Sequence, residues 1–321
     1  LKTEKPLLKI SSCLLGEKVR FNGNHCQNDW ITETLSKEAT LVPFCPEMMM
    51  GLGTPRDSVR LIHDQGGPDQ SNRLIQGKDQ INLDKNVSDV SKMILAWEEN
   101  CDGIILKGKS PSCGLEKVKS YNTTNNIPDR LTSGIFVQYI KTRYPFAPMI
   151  DDSRMHNSKL KENFIMASFA HWRWRQTQSI SQLQSFHAQY KYLLMAYNQN
   201  VMSQMGRLIA NSQDFSQTKQ LYGELLSQTM AKPIRPASAM NVLLHMYGHF
   251  KKILTQDQKK NIRQIIHLYA EEKAPLASAL QVLKFISNGQ NNKNGSYIGS
   301  QFIFLPYPDS LIEWQDPIIA I

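Results

Sequence analysis

Long apolar runs are missing from this 321-residue chain. No segment approaches the roughly 18 apolar residues that a membrane-spanning helix needs. The opening stretch, LKTEKPLLK, is basic and polar and lacks the apolar centre of a secretory leader. A membrane or secreted protein is therefore not expected, and a cytoplasmic one is. Cysteine is also scarce: five in all, an odd number that suits no disulfide scaffold and leaves thiols free for chemistry or metal. No glycine-rich phosphate loop occurs, since Gly51-Leu52-Gly53 is too short for a dinucleotide fingerprint. Internal repeats are absent, and low complexity is confined to an Asn- and Gly-rich stretch at 288–301.

What the chain does have is unevenly distributed. Residues 1–152 balance 19 basic against 19 acidic side chains, so the whole net charge of +9 falls in 153–321. All five cysteines lie in the neutral half, and six of the eight histidines lie in the basic one. Two domains with different tasks are expected, 1–152 and 153–321.

The first half alternates strand and helix signals. Short apolar runs at Leu7–Cys13, Thr40–Cys45, Gly103–Leu106 and Ala147–Ile150 read as strands. Helical spacing covers a stretch from Asp29, then Asn86–Glu99 and Gly134–Arg143. Arg56–Ile62 and Asn72–Ile81 read as short strands around a Gly66-Gly67-Pro68 turn. The pattern predicts an α/β domain with a mostly parallel sheet and helices on both faces. Beyond Asp151-Asp152 helical periodicity takes over, predicting an all-α domain of about six or seven helices. Thr255 and Gln258 form a capping box there, Pro275 suits a first helical turn, and FIFLPYP near the end reads as extended.

Three cysteines fall just past predicted strands: Cys13, Cys45 and Cys113. Their sequence separations are unlike those of zinc ribbons or ferredoxin runs. In an open α/β sheet, however, the carboxyl ends of parallel strands converge on the ligand-binding edge. Nearby glycines (Gly16, Gly51, Gly53, Gly114) would let backbone approach a bulky group. Cys26 and Cys101 lack that setting and are read as non-ligands, with Cys101 in the core. Two metal chemistries remain open. Zinc would need a fourth ligand such as His25 or His63, whereas an iron–sulfur cluster on three cysteines would leave one iron open to substrate.

The blocks SSCLLGEKVRFNG, PFCPEMMMGLGTPR and ILKGKSPSCG together resemble the signature of the thiouracil desulfidase family over most of residues 7–150. The resemblance implies a 4Fe-4S cluster on Cys13, Cys45 and Cys113, with Glu47 and Ser110 as the catalytic pair. The implied reaction is non-redox desulfuration of a small thiolated pyrimidine, such as 2-thiouracil, to the oxo form plus sulfide. Arg56 matches the motif with no role implied, and Lys109 stands where arginine is usual. In the second half, FHAQYKYLLMAYN, GRLIAN, NVLLHMYGHFKKIL, EKAPLASALQVL and QFIFLPYP resemble the YbgA-type helical domain, which implies architecture but no chemistry.

Other features weigh less. His245 and His249 sit four apart on a predicted helix, a metal-binding spacing more often used in packing. Met48-Met49-Met50 reads as pocket wall. The cluster His171-Trp172-Arg173-Trp174-Arg175 interleaves stacking aromatics with cations, so the basic half is a candidate RNA or nucleotide contact. That cluster supports an alternative function, a nucleic-acid-associated binding or regulatory protein whose cluster is structural or redox-sensing. A zinc-bearing structural domain is a weaker third reading.

Overall fold

The computed structural model describes residues 4–64, 72–98, 100–289 and 293–312. The expected Gly66-Gly67-Pro68 turn lies outside them. The chain divides into two compact units, Leu1–Ser168 with Ser310–Ile321, and Phe169–Asp309.

The first unit contains two sheets. One is fully parallel, in the order β2 (Thr40–Phe44), β1 (Leu7–Ser11), β6 (Gly103–Leu106), β9 (Met149–Asp151). Its register pairs Ser11 with Phe44, Ile10 with Ile105 and Leu106 with Asp151, so the four carboxyl ends finish level. β6 is GIIL and wholly buried, as a strand covered on both faces must be. All four strands fall within or beside segments that the sequence reading expects as strands, and their parallel pairing agrees with it. Short helices α1 (Ser36–Glu38) and α2 (Pro46–Met49) flank β2, and a turn of π-helix over Trp30–Leu35 leads into α1. α3 (Asp84–Leu95) buries Val87, Val90 and Ile94 on one stripe. These pack with Ile104, Leu106 and residues of α4 (Val137–Arg143) in one core.

The second sheet was not anticipated as a separate layer. It runs β5 (Ile81–Asn82), β4 (Arg73–Gln76), β3 (Val59–His63), β7 (Val118–Asn122), β8 (Pro128–Thr132), parallel only between β3 and β7. The strands β7 and β8 (VKSYN and PDRLT) carry Lys, Asn, Pro, Asp and Arg, which have weak strand preference. Pairing across the sheet, not composition, makes them strands.

The second unit is helical. α5 (Ser158–Arg175) runs into it, followed by α6 (Ile180–Ala210), α7 (Phe215–Thr229), α8 (Pro236–Gly248), α9 (Gln256–Ala270), α10 (Leu276–Asn288) and α11 (Lys293–Gly299). The stripe Leu183, Phe186, Tyr190, Leu193, Leu194, Tyr197 is buried. The Thr255–Gln258 capping box forms in full, whereas Pro275 sits one step earlier than expected, at the N-cap of α10. Two local expectations fail. Part of the Asn- and Gly-rich stretch is helix α11, and FIFLPYP is turns instead of a strand. Packing explains the second, since the Phe302 ring lies 4.8 Å from that of Tyr190 and its N–H donates to the Gln189 carbonyl. No described helix is long and apolar enough to cross a membrane.

Candidate active site

The level strand ends of the parallel sheet place the chemistry. Cys13 lies in a single 3-10 turn directly after β1, which Gly16 closes at φ +93°, a left-handed conformation suited to glycine. Cys45 follows β2 and precedes α2, whose first turn holds Glu47. Cys113 lies in the loop after β6. There the Ser110 hydroxyl accepts the N–H groups of Ser112 (3.3 Å) and Cys113 (3.2 Å), a local turn that fixes the cysteine. The same loop is pinned from outside, with Gly134 donating to Gly114 and Phe136 to Ser112. The approach is close enough that a Cβ on Gly134 would sit 2.7 Å from the Cys113 amide nitrogen. Residues 134–136 are spent on this clamp, so α4 starts later than its periodicity suggests.

A cavity of about 370 Å³ opens on these ends, within the range of small-molecule pockets. It is lined by all five sequence-predicted site residues: Cys13, Cys45, Cys113, Glu47 and Ser110. The Cys45 thiol donates to Glu47 Oε2 at 3.3 Å, and the Ser110 hydroxyl faces Glu47 Oε1 at 3.5 Å. Burial, then the neighbouring Cys113 sulfur, pushes the Cys13 thiol up to about 12. Burial, then Glu47, pushes Cys113 up to about 11 and Cys45 well above the usual thiol range. A bound cation reverses that logic, because a coordinating thiol gives up its proton.

Cations rim the pocket. Arg20, Arg56, Lys107 and Lys109 all line it. Lys107 Nζ meets Asp152 Oδ2 at 2.7 Å, and the Gly108 N–H donates to the other oxygen of the same carboxylate at 2.6 Å. Sequence reading treats Asp151-Asp152 only as a domain border. The pairing of Leu106 with Asp151, which brings Asp152 beside Lys107, is invisible without the sheet. Arg56, left without a role by its motif, donates to the carbonyls of Val19 (2.9 Å) and Gly53 (2.7 Å) and so ties two pocket loops together. Lys109 sits at φ +62°, a left-handed conformation that disfavours any residue with a Cβ.

Other expectations are redirected. The methionines are not pocket wall: Met50 is core and Met48 is exposed. Gly114 lets the loop fold on itself, since a Cβ there would lie 2.7 Å from the Ser110 carbonyl. Cys101 is buried with its thiol toward the Gly103 carbonyl, and Cys26 donates its N–H to the Cys13 carbonyl without lining the cavity. His63 is engaged in the second sheet, at 2.9 Å from both Asp129 and Ser120, and His25 is exposed. Neither completes a zinc site, and among the described residues no three His, Cys, Asp or Glu side chains are set to hold a single ion.

In the helical unit the candidate nucleic-acid cluster is turned inward. His171 and Trp174 are buried, and the Trp174 ring occupies the space a Cβ on Gly223 would need. The Arg173 guanidinium donates to Tyr190 Oη and the Pro306 carbonyl and lies 4.1 Å over the Phe302 ring. These groups serve the core, so the cluster gives no support to RNA contact. His249 Nε2 pairs with the Tyr192 hydroxyl at 2.8 Å, a packing role.

Comparison with known proteins follows the same division. The model of the 2-thiouracil desulfurase family matches residues 8–152. A Bacillus subtilis (strain 168) protein described as uncharacterized protein YbbK is 31% identical over 144 residues, which span 42% of this chain and 89% of the relative. The chain belongs to the 2-thiouracil desulfurase family. Its helical half matches a second model, a protein of unknown function termed DUF1722, over residues 191–308. The Escherichia coli (strain K12) uncharacterized protein YbgA is 22% identical over 105 residues, 32% of this chain, which spans only 62% of that relative's length. A solved structure titled [4Fe-4S]-dependent thiouracil desulfidase TudS is 20% identical. It covers 50% of this chain and 100% of its own, at a TM-score of 0.35.

Proposed function

We propose that this desulfurase-family protein removes sulfur from a small thiolated pyrimidine by hydrolysis, exchanging a C=S group for C=O and releasing sulfide. The observation that carries the reading is the meeting of three thiols from three strand ends with a carboxylate and a hydroxyl in one cavity. The donor set suits a 4Fe-4S cluster. Three soft thiols are supplied, cations line the same cavity, and no histidine among the described residues lines it to complete a tetrahedral zinc site. Cys13, Cys45 and Cys113 would hold the cluster, which supplies a soft Lewis-acid position for the substrate sulfur.

The remaining chemistry belongs to the chain's own side chains. Water adds to the thiocarbonyl carbon, the C–S bond breaks with its electron pair going to sulfur, and no electron is exchanged with an outside donor. Glu47 takes a proton from the attacking water and returns it to the departing sulfur. Ser110 orients that carboxylate through the 3.5 Å contact while its oxygen holds the Cys113 loop. Phe44 supplies an apolar wall that excludes bulk water. Anaerobic reconstitution tests the reading. It expects about four irons and four acid-labile sulfides per chain for such a cluster, and conversion of 2-thiouracil to uracil plus sulfide. Protein that binds no iron and sulfide, or that is loaded and yields no uracil, would overturn it.

A further inference from the structure

Ser11 ends β1, and its side chain joins two loops of the site. The residue is 3% exposed. Its hydroxyl oxygen accepts the Lys107 N–H from the end of β6 at 3.0 Å and lies 3.5 Å from Cys113 Sγ. Sheet register makes this meeting obligatory: pairing Ile10 with Ile105 sets Ser11 level with Leu106, and Lys107 comes next. With an N–H already directed at its oxygen, the hydroxyl still has its own hydrogen to give. A ligating thiolate has none, so the hydrogen between Ser11 and Cys113 then belongs to the serine.

We propose that Ser11 is a positioning residue that donates a hydrogen bond to the ligating Cys113 sulfur and thereby sets the potential and retention of the cluster. This rests on the reading that the three thiols hold a 4Fe-4S cluster. A donor on a ligand sulfur stabilises the extra negative charge of the reduced cluster and raises its reduction potential. Ser11 lines the same cavity as Glu47 and Ser110, but its bearing on the cluster runs through its contact with Cys113 Sγ.

The test compares full-length wild type, Ser11→Ala and Ser11→Thr after anaerobic reconstitution, by a reductive titration and by the rate of iron loss to a chelator. Ser11→Ala should load a cluster whose midpoint potential is more negative and which loses iron several-fold faster. Ser11→Thr keeps the hydroxyl and should restore both. The potential is read only from molecules that hold the cluster, so lower stability of the alanine variant does not blur it. An unchanged potential in loaded Ser11→Ala overturns the assignment. If that variant loads nothing, iron content in Ser11→Thr decides: near wild type supports the hydroxyl, and no better than alanine overturns it. Wild type that binds no iron and sulfide would instead sink the cluster reading itself.

Discussion

The two units use the same kinds of side chain in opposite ways. In the first, ionisable and sulfur-bearing groups gather at the level ends of parallel strands and face a cavity. In the second, a cluster of aromatics and cations packs against the core, where Arg173 stacks on Phe302 and Trp174 packs on Gly223. Motif composition looks equally functional in both. What separates them is topology: strand ends expose whatever follows them, whereas a helix presents side chains in every direction and the core claims one face.

The largest effect that could break this contrast is loss of a thiol. Cys13→Ala, Cys45→Ala and Cys113→Ala should each lose the brown colour and iron content of the reconstituted protein and drop turnover to background. Cys26→Ala and Cys101→Ala should leave cluster content unchanged. A Cys26→Ala protein without a cluster would move a ligand outside the strand-end set. Next comes Glu47→Gln. It should keep iron and sulfide at wild-type levels while lowering turnover of 2-thiouracil by about 10²–10⁴-fold, the range for a lost general base. Loss of cluster in that variant would make Glu47 part of the holding shell instead of the reacting one.

The same contrast explains what could be read in the sequence. The cysteines were legible because each follows a short apolar run, and sheet topology turns that position into convergence. Helix α3 was legible from the stripe Val87, Val90, Ile94. Ser11 and Asp152 were not, because their partners are set by register: Leu106 beside Asp151 for one, Ile10 beside Ile105 for the other. β7 and β8 were missed because VKSYN and PDRLT become strands only by pairing. The Arg173 cluster could not be decided from sequence, because cations and aromatics have the same composition whether they meet a nucleic acid or each other.

Arg173 therefore sharpens the comparison on the helical side. Arg173→Ala strands the Tyr190 hydroxyl and the Pro306 carbonyl and uncovers the Phe302 ring. It should destabilise the helical unit by about 2–3 kcal/mol, as loss of charged hydrogen bonds does. Chemical denaturation followed by circular dichroism measures this, and turnover of free 2-thiouracil should not change. A variant as stable as wild type would return Arg173 to the surface.

The smallest effect concerns His187, whose Nδ1 lies 3.1 Å from the Tyr222 hydroxyl. Burial, then the charge of Lys191, lowers it from an ordinary 6.5 to about 4. The unfolded chain takes up this proton near pH 6.5, whereas the folded chain refuses it until about pH 4. The folded state thus binds fewer protons across that window, and stability falls as pH drops through it. Above pH 6.5 both states are neutral and the contribution is complete; below pH 4 both are charged and the loss levels off. Partial exposure trims the effect to about 1–2 kcal/mol. His187→Gln keeps a polar partner for Tyr222 but cannot take up the proton. Its melting temperature should therefore vary less between pH 4 and 6.5 than that of wild type. Equal slopes in the two proteins would show that the imidazole is protonated as readily in the folded helical unit as in the open chain.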